Sequence, residues 1–255
     1  IVAGFDNLED YVNNDIYMGC IAGRYANRIA NGTFSIDGHT YILACNNDEN
    51  HLHGGNKGFD KVAWDADIEN NKLSMSYLSR DGEEGYPGNL NIKVDYTYTG
   101  EDELEIEYFA STDKATPVNL TSHSYFNLTG DLRNNILGHS LKINADLYTP
   151  VNVNQIPTGE LETVDNTAFD FSELKKISEN LSKTDKGFDH NYVLKAESGE
   201  LIEAAILCSP GDELRLTVLT TEPGLQFYSG NLLDGSIINR NGIPLKKHAA
   251  LCLEA

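Results

Sequence analysis

Apolar and polar residues alternate in short runs along most of this 255-residue chain. Lys72 to Ser79, Leu90 to Thr99 and Leu104 to Ala110 repeat with period two, as strands with one face on a core and one toward water do. Val62 to Asp67, Ser140 to Ala145, Tyr192 to Lys195, Leu201 to Ser209, Glu213 to Thr221 and Gln226 to Gly230 also read as strands. Residues 1–5 read as the tail of one, and Ala249 to Leu253 is strand-like. Thr33 to Ile36 and His39 to Leu43 flank Asp37-Gly38, a two-residue connection that specifies a hairpin. Only Phe171 to Leu181 shows helical spacing, with Leu174, Ile177 and Leu181 on one face and Asp170 or Ser172 as cap. Asn7 to Asp15 reads as a polar, acidic loop, and Asn46 to Gly58 and Arg80 to Asn89 as turn-rich loops, where function often resides. The pattern predicts an all-β protein: one large antiparallel β-sandwich spanning 1–255, with one short helix. A β-propeller fits less well, because no blade-length repeat is visible.

Charge narrows the functions. The net charge is −20, from 39 acidic and 19 basic residues. Such a surface repels phosphate backbones and anionic lipids, so neither nucleic acid nor a membrane is an expected partner. A neutral small molecule such as a sugar is compatible with it. The same field is expected to favour a protonated histidine. No apolar run is long enough to span a bilayer. Cys20, Cys45, Cys208 and Cys252 form no C-x-x-C pair and are expected to be buried free thiols, with two disulfides as the alternative in an exported protein.

The chemistry centres on Asn119 to Leu128, where His123 sits between Ser122 and Ser124 and ahead of Tyr125 and Phe126. Imidazole moves protons near neutral pH. Alone, His123 would more often be a packed or surface residue. Glu254 ends an apolar strand-like run, and a carboxylate there is costly unless it is paired or used; the alternative is a solvated acid near a terminus. His51 and His53 alternate about Leu52 and would share a side of an extended segment. Either they hold a metal, or one lines a cleft while the other is structural. Gly54-Gly55 would allow the backbone close to a ligand. Arg24 and Arg28 are four apart, with ordinary surface ion pairs as the bland alternative. Asp189 could accept sugar hydroxyls or close a turn. Trp64, Tyr86 and Phe227 are candidate stacking faces.

Nine segments in order carry a resemblance. They are Gly23 to Ile29, Asn50 to Gly55, Gly58 to Val62, Asp81 to Gly88, Asn119 to Leu128, Ile156 to Glu160, Gly187 to Asn191, Glu222 to Asn231 and Leu251 to Glu254. Together the chain resembles the aldose 1-epimerases, or galactose mutarotases, along essentially its whole length. The resemblance implies a β-sandwich with an open sugar cleft. Glu254 matches the family's catalytic base and His123 its catalytic acid. Arg28, His53 and Asp189 match residues that bind sugar hydroxyls or orient the ring, and Gln226 and Phe227 match cleft positions. Ser122 departs from the family pattern, which usually has Asn there. The family also extends beyond both ends of this chain, so terminal strands are expected to be missing.

The expected activity is therefore interconversion of the α and β anomers of hexoses such as D-galactose and D-glucose, by acid and base catalysis with no cofactor and no metal. The alternatives are a sugar-binding module or sensor of the same fold, and an epimerase of a phosphorylated hexose. The expected partner is a small aldose, and the expected assembly a monomer or homodimer. A cytoplasmic enzyme is expected, with a periplasmic or secreted one as the alternative.

Overall fold

The structure, a computed structural model, describes residues 2–184, 186–195 and 199–255; Ile1, the first residue of the expected leading strand, lies outside them. The chain divides into two compact units, residues 1–20 with 122–255, and residues 21–121.

In the 21–121 unit, the alternating segments form a four-stranded antiparallel meander: Asp65–Glu69, Lys72–Ser79, Leu90–Tyr98 and Leu104–Thr112. Leu90, Ile92 and Val94 alternate inward and pack with Ile21 and Phe59, supported by Trp64, Tyr77 and Leu120. Thr33–Ile36 and His39–Ile42 form the expected hairpin, with Ile36 opposite His39. Asp37 and Gly38 both take positive φ (51° and 76°), which a type I′ connection requires. Arg28–Ile29 pairs with His51–Leu52.

The larger unit contains two antiparallel sheets. One has six strands, in the order Tyr125–Phe126, Leu251–Glu254, Gly224–Tyr228, Asp189–Leu194, Ala145–Tyr148 and Glu162–Thr163. The other has four: Lys175–Lys176, Ser140–Ile143, Ile202–Cys208 and Arg215–Thr220. Leu225, Phe227, Leu251 and Leu253 from the first share one core with Leu141, Ile143, Ala205 and Leu207 from the second, as in a sandwich. The protein is thus all-β in character.

The helices differ from expectation. Leu8–Asn13, read as loop, is helical: the Asn7 side chain accepts from the Asp10 N–H, and Glu9 and Asp10 sit in the positive first turn. None of its residues is fully buried, although Tyr11 packs edge-on against Phe5. The expected helix over Phe171 to Leu181 is helical only at Ile177–Leu181. Lys175 and Lys176 instead pair with Leu141 and Ser140 at a sheet edge. Asp170 accepts from the Ser172 N–H and hydroxyl and from Lys175 Nζ, which closes a turn rather than capping a helix. Ladder bonding outweighed helical spacing, and Leu174 is left exposed.

The cysteines differ as well. Cys208 and Cys252 are buried, but Cys20 is only partly covered and Cys45 is exposed.

Candidate active site

The period of a strand sorts the residues of the site. Along Leu251–Glu254, Leu251 and Leu253 point into the sandwich core, so Cys252 and Glu254 point to the opposite face. Along Gly224–Tyr228, Leu225 and Phe227 point inward, and Gln226 and Tyr228 outward. Register then aligns the outward residues across three strands. Glu254 stands opposite Gln226, Cys252 opposite Tyr228, and Tyr228 opposite Asp189. Gln226 Nε2 donates to Asp189 Oδ1 at 2.7 Å.

His123 joins the same place from the segment between Thr121–Ser122 and Tyr125–Phe126. Its backbone N–H donates to Cys20 O, and its carbonyl accepts from the Gly19 N–H, both at 2.9 Å. Tyr125 pairs with Cys252 across the ladder, which brings the neighbouring His123 beside that strand. His123 Nε2 lies 3.7 Å from Glu254 Oε1, and Nδ1 lies 3.5 Å from Cys252 Sγ. Both His123 and Glu254 are buried, at 5% and 8% exposure.

Burial sets the charge states. Removal from water pushes the Glu254 carboxyl up to about 8, helped by the negative charge of Asp189. The same cause pushes the His123 imidazole down to about 4. The protonated histidine expected from the acidic surface is therefore not the resting form, because charges on a solvated surface are screened while desolvation acts directly. Burial thus favours the uncharged form of both groups, a protonated Glu254 carboxyl beside a neutral His123 imidazole.

Phe227 does not reach this face. It is fully buried, stacked on Phe188 at 5.1 Å and edge-on to Phe171 at 5.7 Å. It is a core residue and offers a sugar no face. Its neighbour in the chain, Gln226, is the one at the site.

Arg28 and His53 lie in the 21–121 unit and are brought together there. Arg28 donates from Nε to Asn47 Oδ1 at 2.9 Å and from a terminal nitrogen to Asn27 Oδ1 at 3.3 Å. His53 Nδ1 accepts from the Asn27 N–H at 3.1 Å, which leaves the ring proton of the neutral form on Nε2. His51 is different. Its Nδ1 meets Ala44 O and its Nε2 meets the Tyr86 hydroxyl, both at 2.7 Å, so both ring nitrogens are committed to the scaffold. Shared metal ligation by His51 and His53 does not fit that bonding. Gly54 serves packing: a Cβ there would stand 1.7 Å from the Gly23 carbonyl oxygen. Arg24 is also structural, buried and donating to Pro87 O, Gly88 O and Thr116 Oγ1. Tyr86 is buried under it, and Trp64 packs on Phe59.

Two residues at the site carried no functional signal in the sequence. Cys252 read only as an apolar strand residue. Tyr17, whose ring centroid is 6.1 Å from that of His123, sits in a polar stretch with no periodicity. Among the described residues, His123, Cys252 and Glu254 form the one cluster with metal-ligand spacing, their ligand atoms all within 4.8 Å of one another. A cation would need the thiolate and the carboxylate, whereas burial holds Cys252 well above the usual thiol range and Glu254 at about 8. The cluster suits proton transfer better than ligation.

Comparison with known proteins identifies the family. A family model described as aldose 1-epimerase matches residues 1–255. Galactose mutarotase from Bos taurus is 48% identical over 255 residues, covering 100% of this chain and 74% of the relative. Aldose 1-epimerase from Escherichia coli (strain K12) is 42% identical over 258 residues, covering 99% of this chain and 74% of the relative. Among solved structures, an aldose epimerase homologue from C. elegans superposes with a TM-score of 0.92 at 29% identity, over 99% of this chain and 77% of that one. Galactose 1-epimerase from Lactobacillus acidophilus gives 0.87 at 30% identity, over 100% of this chain and 76% of that one.

Proposed function

The chain belongs to the aldose 1-epimerase family, and we propose that His123 and Glu254 are the pair through which it interconverts the α and β anomers of aldoses. The observation that carries this reading is the buried contact of 3.7 Å between His123 Nε2 and Glu254 Oε1, in a site where burial has separated their proton affinities.

An aldopyranose changes anomer by opening at the bond between C1 and the ring oxygen. A base removes the proton of the C1 hydroxyl as an acid protonates the ring oxygen, and the open aldehyde turns about C1–C2. The ring then closes on the other face with the two groups in exchanged roles. Glu254 acts as the base and His123 as the acid. The working state differs from the resting one only by transfer of the shared proton from Glu254 to His123, so no net charge enters the site. A sugar hydroxyl donating to Glu254 favours that transfer, because hydrogen bonds to a carboxylate stabilise its charged form. Each proton-transfer group is worth about 10²–10⁴ in rate.

Asp189 and Gln226, tied to each other beside Glu254, are proposed to accept and donate to sugar hydroxyls. The proposed substrates are D-galactose and D-glucose. A phosphorylated hexose is disfavoured by Asp189 next to Glu254, since a second acid there repels phosphate. Among the described residues no helix is long and apolar enough to cross a membrane. A cytoplasmic setting and a monomer or homodimer complete the proposal, and sedimentation of the purified protein reads the assembly.

The test is polarimetry of freshly dissolved α-D-galactose and α-D-glucose at pH 7, with and without the protein. Faster decay to the same final rotation, abolished in Glu254→Gln, supports the reading. Decay at the buffer rate with intact protein overturns it.

A further inference from the structure

Asn191 has no part in the proton transfers above, yet register sets it in line with them. It stands opposite Gln226, which stands opposite Glu254. Tyr192, the next residue, lies in the sandwich core, so Asn191 points to the same face as Asp189, Gln226 and Glu254. We propose that Asn191 is a specificity-determining residue: its side-chain amide hydrogen-bonds the C4 hydroxyl of the aldose whose C1 hydroxyl meets Glu254. The proposal rests on the reading of this face as the aldose site with Glu254 as the base.

Bonding and seating single out this amide. Gln226 spends a donor on Asp189. The backbone carbonyl of Asn191 accepts from the Thr149 N–H at 2.9 Å, but the half-buried side chain makes no hydrogen bond among the described residues. Its acceptor oxygen and two N–H donors are open to a ligand, and a sugar hydroxyl can both donate and accept. The seat is Gly224, diagonal to Asn191 on the neighbouring strand and opposite Val193. A Cβ there would stand 2.4 Å from Asn191 Oδ1 and 3.2 Å from its Cγ and Nδ2. Gly224 does not lie in the left-handed region, so its backbone would accept a side chain. The missing side chain instead serves the space in which the Asn191 amide lies.

The spacing fits one ring. Adjacent strands lie about 4.8 Å apart, so the backbones of Glu254 and Asn191 end a row about 10 Å long, with Gln226 at its middle. Side chains rising from the two ends bracket one pyranose lying over Gln226. C1 and C4 are opposite corners of that ring, so a C1 hydroxyl on Glu254 brings the C4 hydroxyl to Asn191. C4 is the carbon at which D-galactose and D-glucose differ. An amide suits such a position because it meets an axial or an equatorial hydroxyl as donor or as acceptor, whereas a carboxylate only accepts.

The test is anomerisation of D-galactose, D-glucose and 4-deoxy-D-glucose, followed by polarimetry with the wild type, Asn191→Ala and Gly224→Ala. Asn191→Ala is expected to lower kcat/KM for galactose and glucose roughly two- to tenfold, the worth of one neutral hydrogen bond, through KM rather than kcat. The 4-deoxy sugar is expected to react equally well with both proteins. Gly224→Ala displaces the amide and is expected to reproduce the pattern. No loss in Asn191→Ala, or an equal loss on the 4-deoxy sugar, overturns the proposal. The wild type decides even if the variants fold poorly: equal kcat/KM for glucose and its 4-deoxy analogue also overturns it. A wild type that leaves galactose and glucose at the buffer rate would instead overturn the function reading, and this proposal with it.

Discussion

Two histidines, one in each unit, are buried almost equally, His51 at 0% and His123 at 5% exposure. Burial depresses the proton affinity of both. What differs is the fit of their partners. His51 is held at both ring nitrogens by contacts of 2.7 Å, and His123 has a thiol at 3.5 Å and a carboxyl at 3.7 Å. A depressed affinity therefore does not by itself mark a functional histidine. Short bonds at both nitrogens to groups that keep their protons fix one protonation state for the life of the fold, whereas a carboxyl that can itself change protonation beside Nε2 leaves the ring able to cycle.

The largest effect that would break this contrast lies at Glu254. Glu254→Gln keeps the shape and loses the base, and kcat is expected to fall about 10²–10⁴-fold, with His123→Asn similar. Sugar binding by calorimetry is expected to survive. A variant retaining wild-type kcat would reduce His123 to the same rank as His51. The converse substitution is His51→Phe. It strands the Tyr86 hydroxyl and the Ala44 carbonyl in the interior, at about 1–3 kcal/mol for each unsatisfied group. Urea unfolding is expected to show the loss, while kcat per folded molecule stays unchanged.

The pH profile sharpens the contrast further. The active pair holds one proton, so kcat/KM is expected to fall below about pH 4, where both groups are protonated, and above about pH 8, where neither is. These limbs belong to the pair rather than to either residue. Stability carries a matching signature. The folded state keeps the Glu254 proton up to about 8, whereas the unfolded chain releases it near 4.5. Folded protein thus binds more protons between those values, and stability falls as pH rises through that window. Glu254→Gln removes the loss, so its melting temperature is expected to rise relative to wild type from pH 5 to pH 8 in calorimetry. His123 works from the other side: stability falls as pH drops from 6.5 toward 4, because the unfolded imidazole takes up a proton the folded one refuses.

Much of this was legible in the sequence because strands and hairpins are local. Lys72–Ser79 and the Asp37-Gly38 turn follow from alternation and turn chemistry alone. His123 and Glu254 stood out as a titratable group among small polar residues and a carboxylate ending an apolar run. Which of Gln226 and Phe227 faces the site did not follow, because alternation shows that neighbours point opposite ways but not which way the core lies. The Leu251–Glu254 pairing supplies that answer. The charge of His123 was misjudged for a related reason: net charge is a sum over the chain, and desolvation is a property of the folded site. Lys175–Lys176 escaped notice because its partners Leu141 and Ser140 lie 34 and 36 positions earlier in the chain, beyond any window of spacing.

The smallest effect concerns Asp189, and it separates the two causes acting on Glu254. Burial is the larger and the charge of Asp189 the smaller. Asp189→Asn keeps the size and leaves an amide that can still meet Gln226, but removes the neighbouring negative charge. Ionising Glu254 then becomes easier, so the upper limb of kcat/KM is expected to move to lower pH. It should remain above the ordinary carboxylate range, since burial persists. The lower limb, set by desolvation of His123 without any contribution from Asp189, is expected to stay in place. If both limbs move together, the two groups respond to one shared field and the separate environments argued here for His123 and Glu254 are wrong. An upper limb that stays put places the charge of Asp189 too far away, or too well screened, to matter. Loss of sugar affinity in the same variant would then be the only trace of its hydroxyl contacts.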